Sequence, residues 1–297
     1  MKAQYITPAV TIFDAAGKVD EAGNCRLYDH LIEGGIDGIV IMGSTGEFSF
    51  MTVDEIKRLI DVFLEHCKGR TKAYVGVSRM IAEETIALGN YAMQKGANGV
   101  MIISPYYFQL TDDSLYDYFH QVAEGIKGPI FLYNFPEITG HGLKPEVVLK
   151  LAQNHENIVG IKDTTALFPH TRDLINLVLP VRPDFQIFNG YDEYFGIVAM
   201  SGGAGVIGGL SNLIPEVFAR WVKAVNEGDF AAACACQQKV NSAMKLYQIG
   251  APYIPIMKRA LNLRGLSLSE TVQPPLLPCT KEQETQLVAL MKELELL

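Results

Sequence analysis

The sequence predicts an α/β chain folded as a (β/α)8 TIM barrel with a C-terminal helical extension. Three observations predict it. Eight short apolar runs recur along the first two thirds of the chain. The segments between them carry helical spacing. Residues 228–297 then remain, too long a stretch for one closing helix. The expected organisation is a barrel over 1–227 and a helical extension over 228–297.

The apolar runs are Ala9–Phe13, Gly38–Met42, Ala73–Val77, Gly99–Ile103, Ile130–Tyr133, Ile158–Ile161, Gln186–Phe188 and Gly203–Ile207. Runs apolar throughout suit parallel strands, which are covered on both faces. Between them, Thr52 and Glu55 have the spacing of a capping box. Ile56, Leu59, Ile60 and Phe63 follow on one helical face. Thr111 is an expected N-cap, and Leu115, Tyr118, Phe119 and Val122 repeat the pattern. Alternating strands and helices with short loops imply right-handed parallel crossovers, and eight such units favour closure. In the extension, helices are expected over Asp229–Tyr247, Pro252–Leu263 and Lys281–Leu297. Leu287, Leu290, Met291 and Leu294 form an apolar stripe on the last.

Composition narrows the function. Of 297 residues 48% are hydrophobic, enough to fill a large core, and the net charge is −8. That balance lacks the basic field that nucleic acid requires. No apolar run reaches the roughly 18 residues of a membrane helix. The start of the chain lacks a basic segment followed by a long apolar run, so no signal peptide is read. The five cysteines, Cys25, Cys67, Cys234, Cys236 and Cys279, include no CxxC and no histidine at ligand spacing. Reduced, mostly buried thiols in a cytoplasmic protein are expected, with no metal.

In such a barrel the chemistry stands at the C-terminal ends of the strands. After the second run comes Gly43-Ser44-Thr45-Gly46-Glu47, whose backbone amides and hydroxyls suit a carboxylate or phosphate, though a plain glycine-rich turn has the same composition. The fourth run ends at Ser104-Pro105-Tyr106-Tyr107, where paired tyrosines also suit packing or an interface. The fifth ends at Tyr133, a candidate proton carrier or a buried phenol with one satisfied hydroxyl. The sixth ends in Gly160-Ile161-Lys162-Asp163-Thr164. Desolvation disfavours an ammonium, so a lysine here is either a nucleophilic amine or one that snorkels past the strand end. A nucleophilic amine condenses with a ketone to an iminium, an electron sink for the neighbouring carbon. Lys258, in the predicted helix Tyr253–Leu263, is the rival nucleophile and is expected to be solvated. Lysine, tyrosine, hydroxyl pair and anion loop at one barrel end equip the chain for α-keto acid chemistry.

The strings GSTGEF, PYY, YNFP…TG and GIKDT, in this order, resemble the dihydrodipicolinate synthase and N-acetylneuraminate lyase superfamily over almost the whole chain. The resemblance implies that Lys162 forms the Schiff base, that Tyr133 is the general acid/base, and that Ser44 and Thr45 receive the pyruvate carboxylate. It implies that Ser44, Tyr133 and Tyr107 relay protons, with Tyr107 supplied across a dimer contact in a homotetramer. Ile207 takes the place of a backbone carbonyl near the lysine. No cofactor and no metal are implied, because the iminium supplies the electron sink.

Departures bear on the substrate. Synthases carry an arginine where this chain has Ile138, so aspartate semialdehyde loses its anchor. Asn189-Gly190-Tyr191-Asp192-Glu193 is similar to lyases of polyhydroxylated acids, which implies Gly190, Asp192 and Glu193 as binding residues. The motifs are closest to 2-keto-3-deoxygluconate aldolases. The expected activity is cleavage of a 2-keto-3-deoxy sugar acid to pyruvate and an aldehyde. Dihydrodipicolinate synthesis and N-acetylneuraminate cleavage are the alternatives within the superfamily, Gly208-Gly209 weakening the latter. A phosphate-binding barrel isomerase, using Gly202-Gly203 and Gly208-Gly209, and a non-catalytic keto-acid sensor are alternatives outside it.

Overall fold

The computed structural model describes Lys2–Leu297. Among the described residues eight strands are all parallel neighbours in chain order and close into a barrel. They are β1 Gln4–Pro8, β2 Gly38–Ile41, β3 Lys72–Gly76, β4 Gly99–Ile103, β5 Ile130–Asn134, β6 Ile158–Asp163, β7 Gln186–Asn189 and β8 Gly205–Ile207. The helices between and after them are α1 Glu21–Glu33, α2 Val53–Cys67, α3 Ala82–Gln94, α4 Asp112–Gly125, α5 Pro136–Thr139, α6 Pro145–Asn154, α7 Phe168–Val178, α8 Phe195–Met200 and α9 Pro215–Glu227. The C-terminal part carries α10 Phe230–Ala243, α11 Leu246–Ile249, α12 Ile254–Leu263 and α13 Lys281–Glu293. Among the described residues no helix is long and apolar enough to cross a membrane.

One strand departs from expectation. The first is Gln4–Pro8, and the apolar run Ala9–Phe13 lies beyond it. Residues 9–13 are buried, but side chains satisfy part of their backbone. Val10 N–H donates to Asn212 Oδ1 at 3.2 Å and Ile12 N–H to Asn24 Oδ1 at 3.1 Å. Burial without a complete ladder is possible only with such partners. The other seven strands overlap their predicted runs.

Local signals place the helices. Thr52 Oγ1 accepts from Glu55 N–H at 3.3 Å while Glu55 Oε2 accepts from Thr52 N–H at 3.1 Å, the reciprocal box that starts α2. Thr111 Oγ1 accepts from Ser114 N–H at 3.2 Å and starts α4. The predicted Asp229–Tyr247 helix divides into α10 and α11. Leu287, Leu290, Met291 and Leu294 are buried, as the stripe on the last helix requires.

By internal contacts the chain forms two compact units. One comprises Tyr74–Gly208 with the start of the chain through Gln4; the other comprises Tyr5–Ala73 and Gly209–Leu297. The five cysteines are free thiols; Cys67 and Cys236 are buried, whereas Cys25, Cys234 and Cys279 are half-buried, fewer buried than expected.

Candidate active site

Within the first unit, β5 and β6 are neighbours in a register that sets Tyr133 opposite Lys162 and Asn134 opposite Asp163. Successive side chains on a strand alternate faces. Lys162 and Tyr133 therefore share one face, while Asp163 and Asn134 share the other, against α7. Lys162 is 6% exposed and Tyr133 3%. The Lys162 amine stands 3.4 Å from the Tyr133 hydroxyl and 4.4 Å from the centre of its ring. A buried amine thus meets a buried phenol at a distance over which a proton can pass. The amine does not snorkel into solvent.

The segment after β7 lies in the same unit. Gly190 must lack a side chain, because a Cβ there would stand 2.0 Å from Thr164 Oγ1. Asp192 is buried and Glu193 half-buried. Burial pushes the Glu193 carboxyl above its ordinary value, and Asp192 adds to this. Tyr191 O–H donates to Glu137 Oε1 at 3.4 Å. Burial and the Glu137 carboxylate push the Tyr191 phenol up to about 12. Ile138, beside Glu137, is 51% exposed and brings no cation to this surface. Ile207 ends β8 and is buried. Tyr107 is 86% exposed on the loop after β4, with a left-handed φ of 89° and its ring edge-on to Phe108 at 5.0 Å.

In the second unit, Ser44–Gly46 forms a 3-10 turn after β2. Met42 and Glu47 flank it at φ 60° and 58°, a conformation non-glycine residues adopt at a cost and that clusters at functional sites. Four contacts fix the turn. Thr11 Oγ1 donates to Gly46 O at 2.8 Å. Thr45 Oγ1 and the Tyr253 hydroxyl are 2.6 Å apart. Glu47 Oε1 accepts from Lys258 Nζ at 2.5 Å, and Glu47 Oε2 accepts from Gln273 N–H at 2.8 Å.

The contact with Glu47 corrects the expectation for Lys258. Its side chain is fully buried, not solvated, and also donates to Thr271 O at 2.7 Å. Burial holds its amine below its ordinary value, against the opposing pull of Glu47. The helix explains why. Ile254, Pro255, Ile256, Met257, Ala260 and Leu261 are all buried, so α12 has apolar residues on most of its circumference. A helix of that kind is enclosed, and a cation within it needs a partner. Engaged with Glu47, Lys258 is structural. Tyr253 escaped sequence reading altogether; no local pattern marks a phenol just before a helix as the partner of Thr45.

One cluster elsewhere has metal-binding residue types. His120 Nδ1 lies 2.9 Å from His155 Nε2, and Glu124 stands 3.5 Å from His155 Nδ1. Two nitrogens bound to one tetrahedral zinc at about 2.0–2.1 Å lie roughly 3.3 Å apart. The observed spacing fits a shared proton better.

Comparison with known proteins decides the family. A sequence profile of the Dihydrodipicolinate synthetase family matches residues 1–294. The chain belongs to that family. Family members are pyruvate-dependent lyases, and this chain is accordingly a carbon–carbon lyase of the class I aldolase type. YagE of Escherichia coli (strain K12) bears the provisional name 2-dehydro-3-deoxy-D-gluconate aldolase. It is 37% identical over 291 residues, covering 98% of this chain and 96% of YagE. YjhH of the same strain, provisionally a 2-dehydro-3-deoxy-D-pentonate aldolase, is 34% identical over 286 residues, covering 96% and 95%. The crystal structure of YagE, a prophage protein in complex with pyruvate, superposes with a TM-score of 0.96 at 36% identity, covering 99% of each chain. Dihydrodipicolinate synthase from Thermotoga maritima gives a TM-score of 0.94 at 29% identity over 100% of both. The barrel predicted from sequence is thereby the family's fold.

Proposed function

We propose that this lyase cleaves a 2-keto-3-deoxy sugar acid to pyruvate and an aldehyde through a Schiff base on Lys162. The observation that carries the chemistry is the buried Lys162 amine 3.4 Å from the Tyr133 hydroxyl. Lys162 Nζ attacks the C2 ketone, and loss of water gives the iminium. Tyr133 takes the C4 hydroxyl proton. The C3–C4 electron pair moves into the iminium, and the aldehyde leaves. The resulting enamine takes a proton at C3, and water returns pyruvate and the free amine. Ser44 and Thr45 receive the pyruvate carboxylate. Ser44 and Tyr107 complete the proton relay, Tyr107 coming from a partner copy in a homotetramer. In this reading the Ile207 carbonyl faces the amine.

Substrate choice rests on the residues that flank this pair. Gly190, Asp192 and Glu193 bind the hydroxylated tail, to which carboxyl groups offer acceptors. Ile138 leaves the aldehyde's carboxylate in a synthase reaction without a cation. The names of YagE and YjhH favour the same substrate class. The barrel of 1–227 carries the site, 228–297 is a helical extension, and the enzyme works in the cytoplasm without a metal or organic cofactor.

The test compares cleavage of 2-dehydro-3-deoxy-D-gluconate, 2-dehydro-3-deoxy-D-pentonate and N-acetylneuraminate with condensation of pyruvate and aspartate semialdehyde. A kcat/KM at least tenfold higher for a keto-deoxy sugar acid is expected. Faster condensation would overturn the substrate assignment.

A further inference from the structure

Behind Lys162 and Tyr133, on the opposite face of the same two strands, lies a closed set of polar side chains. Leu143 N–H donates to Asn134 Oδ1 at 2.9 Å, so the other end of that amide is Nδ2, which donates to Asp163 Oδ1 at 2.7 Å. Tyr191 N–H donates to Asn189 Oδ1 at 2.7 Å, so Asn189 Nδ2 donates to Thr171 Oγ1 at 2.8 Å. The Thr171 hydroxyl then gives its own proton to Asp163 Oδ2 at 2.6 Å. His170 Nδ1 lies 3.0 Å from both Asp163 oxygens, and His170 Nε2 lies 3.1 Å from Leu143 O. Both neighbours of the imidazole are acceptors, an arrangement that the doubly protonated ring satisfies in full. Burial lowers the His170 pKa, but its bonds to Asp163 and Leu143, with the nearby Asp173 carboxylate, prevail and raise it.

Asp163, Asn134, Thr171 and Asn189 are all at most 2% exposed. Asp163 directly follows Lys162, and Asn134 directly follows Tyr133. The set therefore ties the ends of β5, β6 and β7 to the start of α7, one residue from each member of the reacting pair. A group displaced by about 1 Å can lose on the order of 10²-fold in rate.

We propose that His170, Thr171 and Asn134, converging on the Asp163 carboxylate, are positioning residues that hold the Tyr133 hydroxyl within reach of the Lys162 amine. This rests on the Schiff-base reading above. Loss of one link lets the two strand ends shift. The amine, on its own strand, still captures a ketone, but proton transfer slows.

The test needs only pyruvate. Borohydride trapping counts sites that form the adduct. Deuterium exchange into the pyruvate methyl group, followed by NMR, counts proton transfers after it. Thr171→Val, Thr171→Ser and His170→Gln are compared with the parent enzyme. We expect Thr171→Val and His170→Gln to trap pyruvate to the same extent as the parent at saturation, while exchange per trapped site falls 10–100-fold. Thr171→Ser, which keeps the hydroxyl, should restore exchange to within threefold. Unchanged exchange per trapped site in both Thr171→Val and His170→Gln would overturn the positioning role. Should Thr171→Val fail to fold, His170→Gln decides alone, since that ring sits at the half-exposed rim of the set. A parent that traps no pyruvate overturns the Schiff-base reading and this one with it. A parent that traps and exchanges normally, beside variants that do the same, overturns only this one.

Discussion

Replacing Tyr133 by phenylalanine is expected to leave Lys162 able to capture pyruvate while turnover falls about 10²–10⁴-fold, the usual worth of a positioned general acid or base. The phenyl ring of Tyr133, over which the Lys162 amine lies at 4.4 Å, survives the substitution, so packing around the amine and its cation–π contact are kept. Only the hydroxyl 3.4 Å from Nζ is lost. Carbinolamine formation can proceed with water as a slow proton carrier. Removal of the C4 hydroxyl proton in the bond-breaking step has no replacement of comparable reach. Pre-steady-state trapping should therefore show adduct accumulating, with kcat falling in parallel for cleavage and for methyl exchange. A Tyr133→Phe enzyme with parental kcat would remove Tyr133 from proton transfer.

The second large effect is on stability. Lys258→Met is expected to destabilise the fold by about 3–5 kcal/mol, because it leaves the Glu47 carboxylate buried without its cation. Lys258 and Glu47 side chains are both fully buried and 2.5 Å apart. Glu47 would keep the Gln273 N–H contact at 2.8 Å, too little for a full charge. At roughly 2–4 °C per kcal/mol for a chain of this size class, Tm should fall by on the order of 10 °C. The double replacement Lys258→Met with Glu47→Gln removes both charges and should recover part of the loss. A single variant within 2 °C of the parent would show that the pair contributes little. Because Glu47 adjoins the Ser44–Gly46 turn, the surviving folded fraction should also show a raised KM for the keto-deoxy sugar acid.

How much of this was legible in the sequence depends on the range of the signal. Apolar runs and caps are local, and they located seven strands and the starts of α2 and α4. The first strand was misplaced because Ala9–Phe13 is as apolar as a strand. The amides of Ile12 and Val10 are instead met by the side chains of Asn24 and Asn212, 12 and 202 positions away. The Lys162–Tyr133 pair was legible because each stands at the end of a buried run, and parallel neighbours bring such ends together. Lys258 was misjudged because one lysine in a helix looks solvated until the helix is seen to be apolar on most of its circumference. The Asp163 set left no pattern to read. Its members are single polar residues on β5, β6, β7 and α7, joined only when the strands are in register. The available hint was Asp163 itself, a carboxylate next to Lys162 on a strand with both faces covered, which therefore had to find donors on the helix side.

The proposed chemistry requires that one amine, on Lys162, bond covalently to the keto acid. Incubation with pyruvate and borohydride followed by peptide mass mapping tests it directly. We expect one reduced pyruvyl group per chain, on the peptide containing Lys162, and none in Lys162→Ala, which should also lose turnover. A label on Lys258 or on surface lysines, or undiminished cleavage by Lys162→Ala, would contradict it.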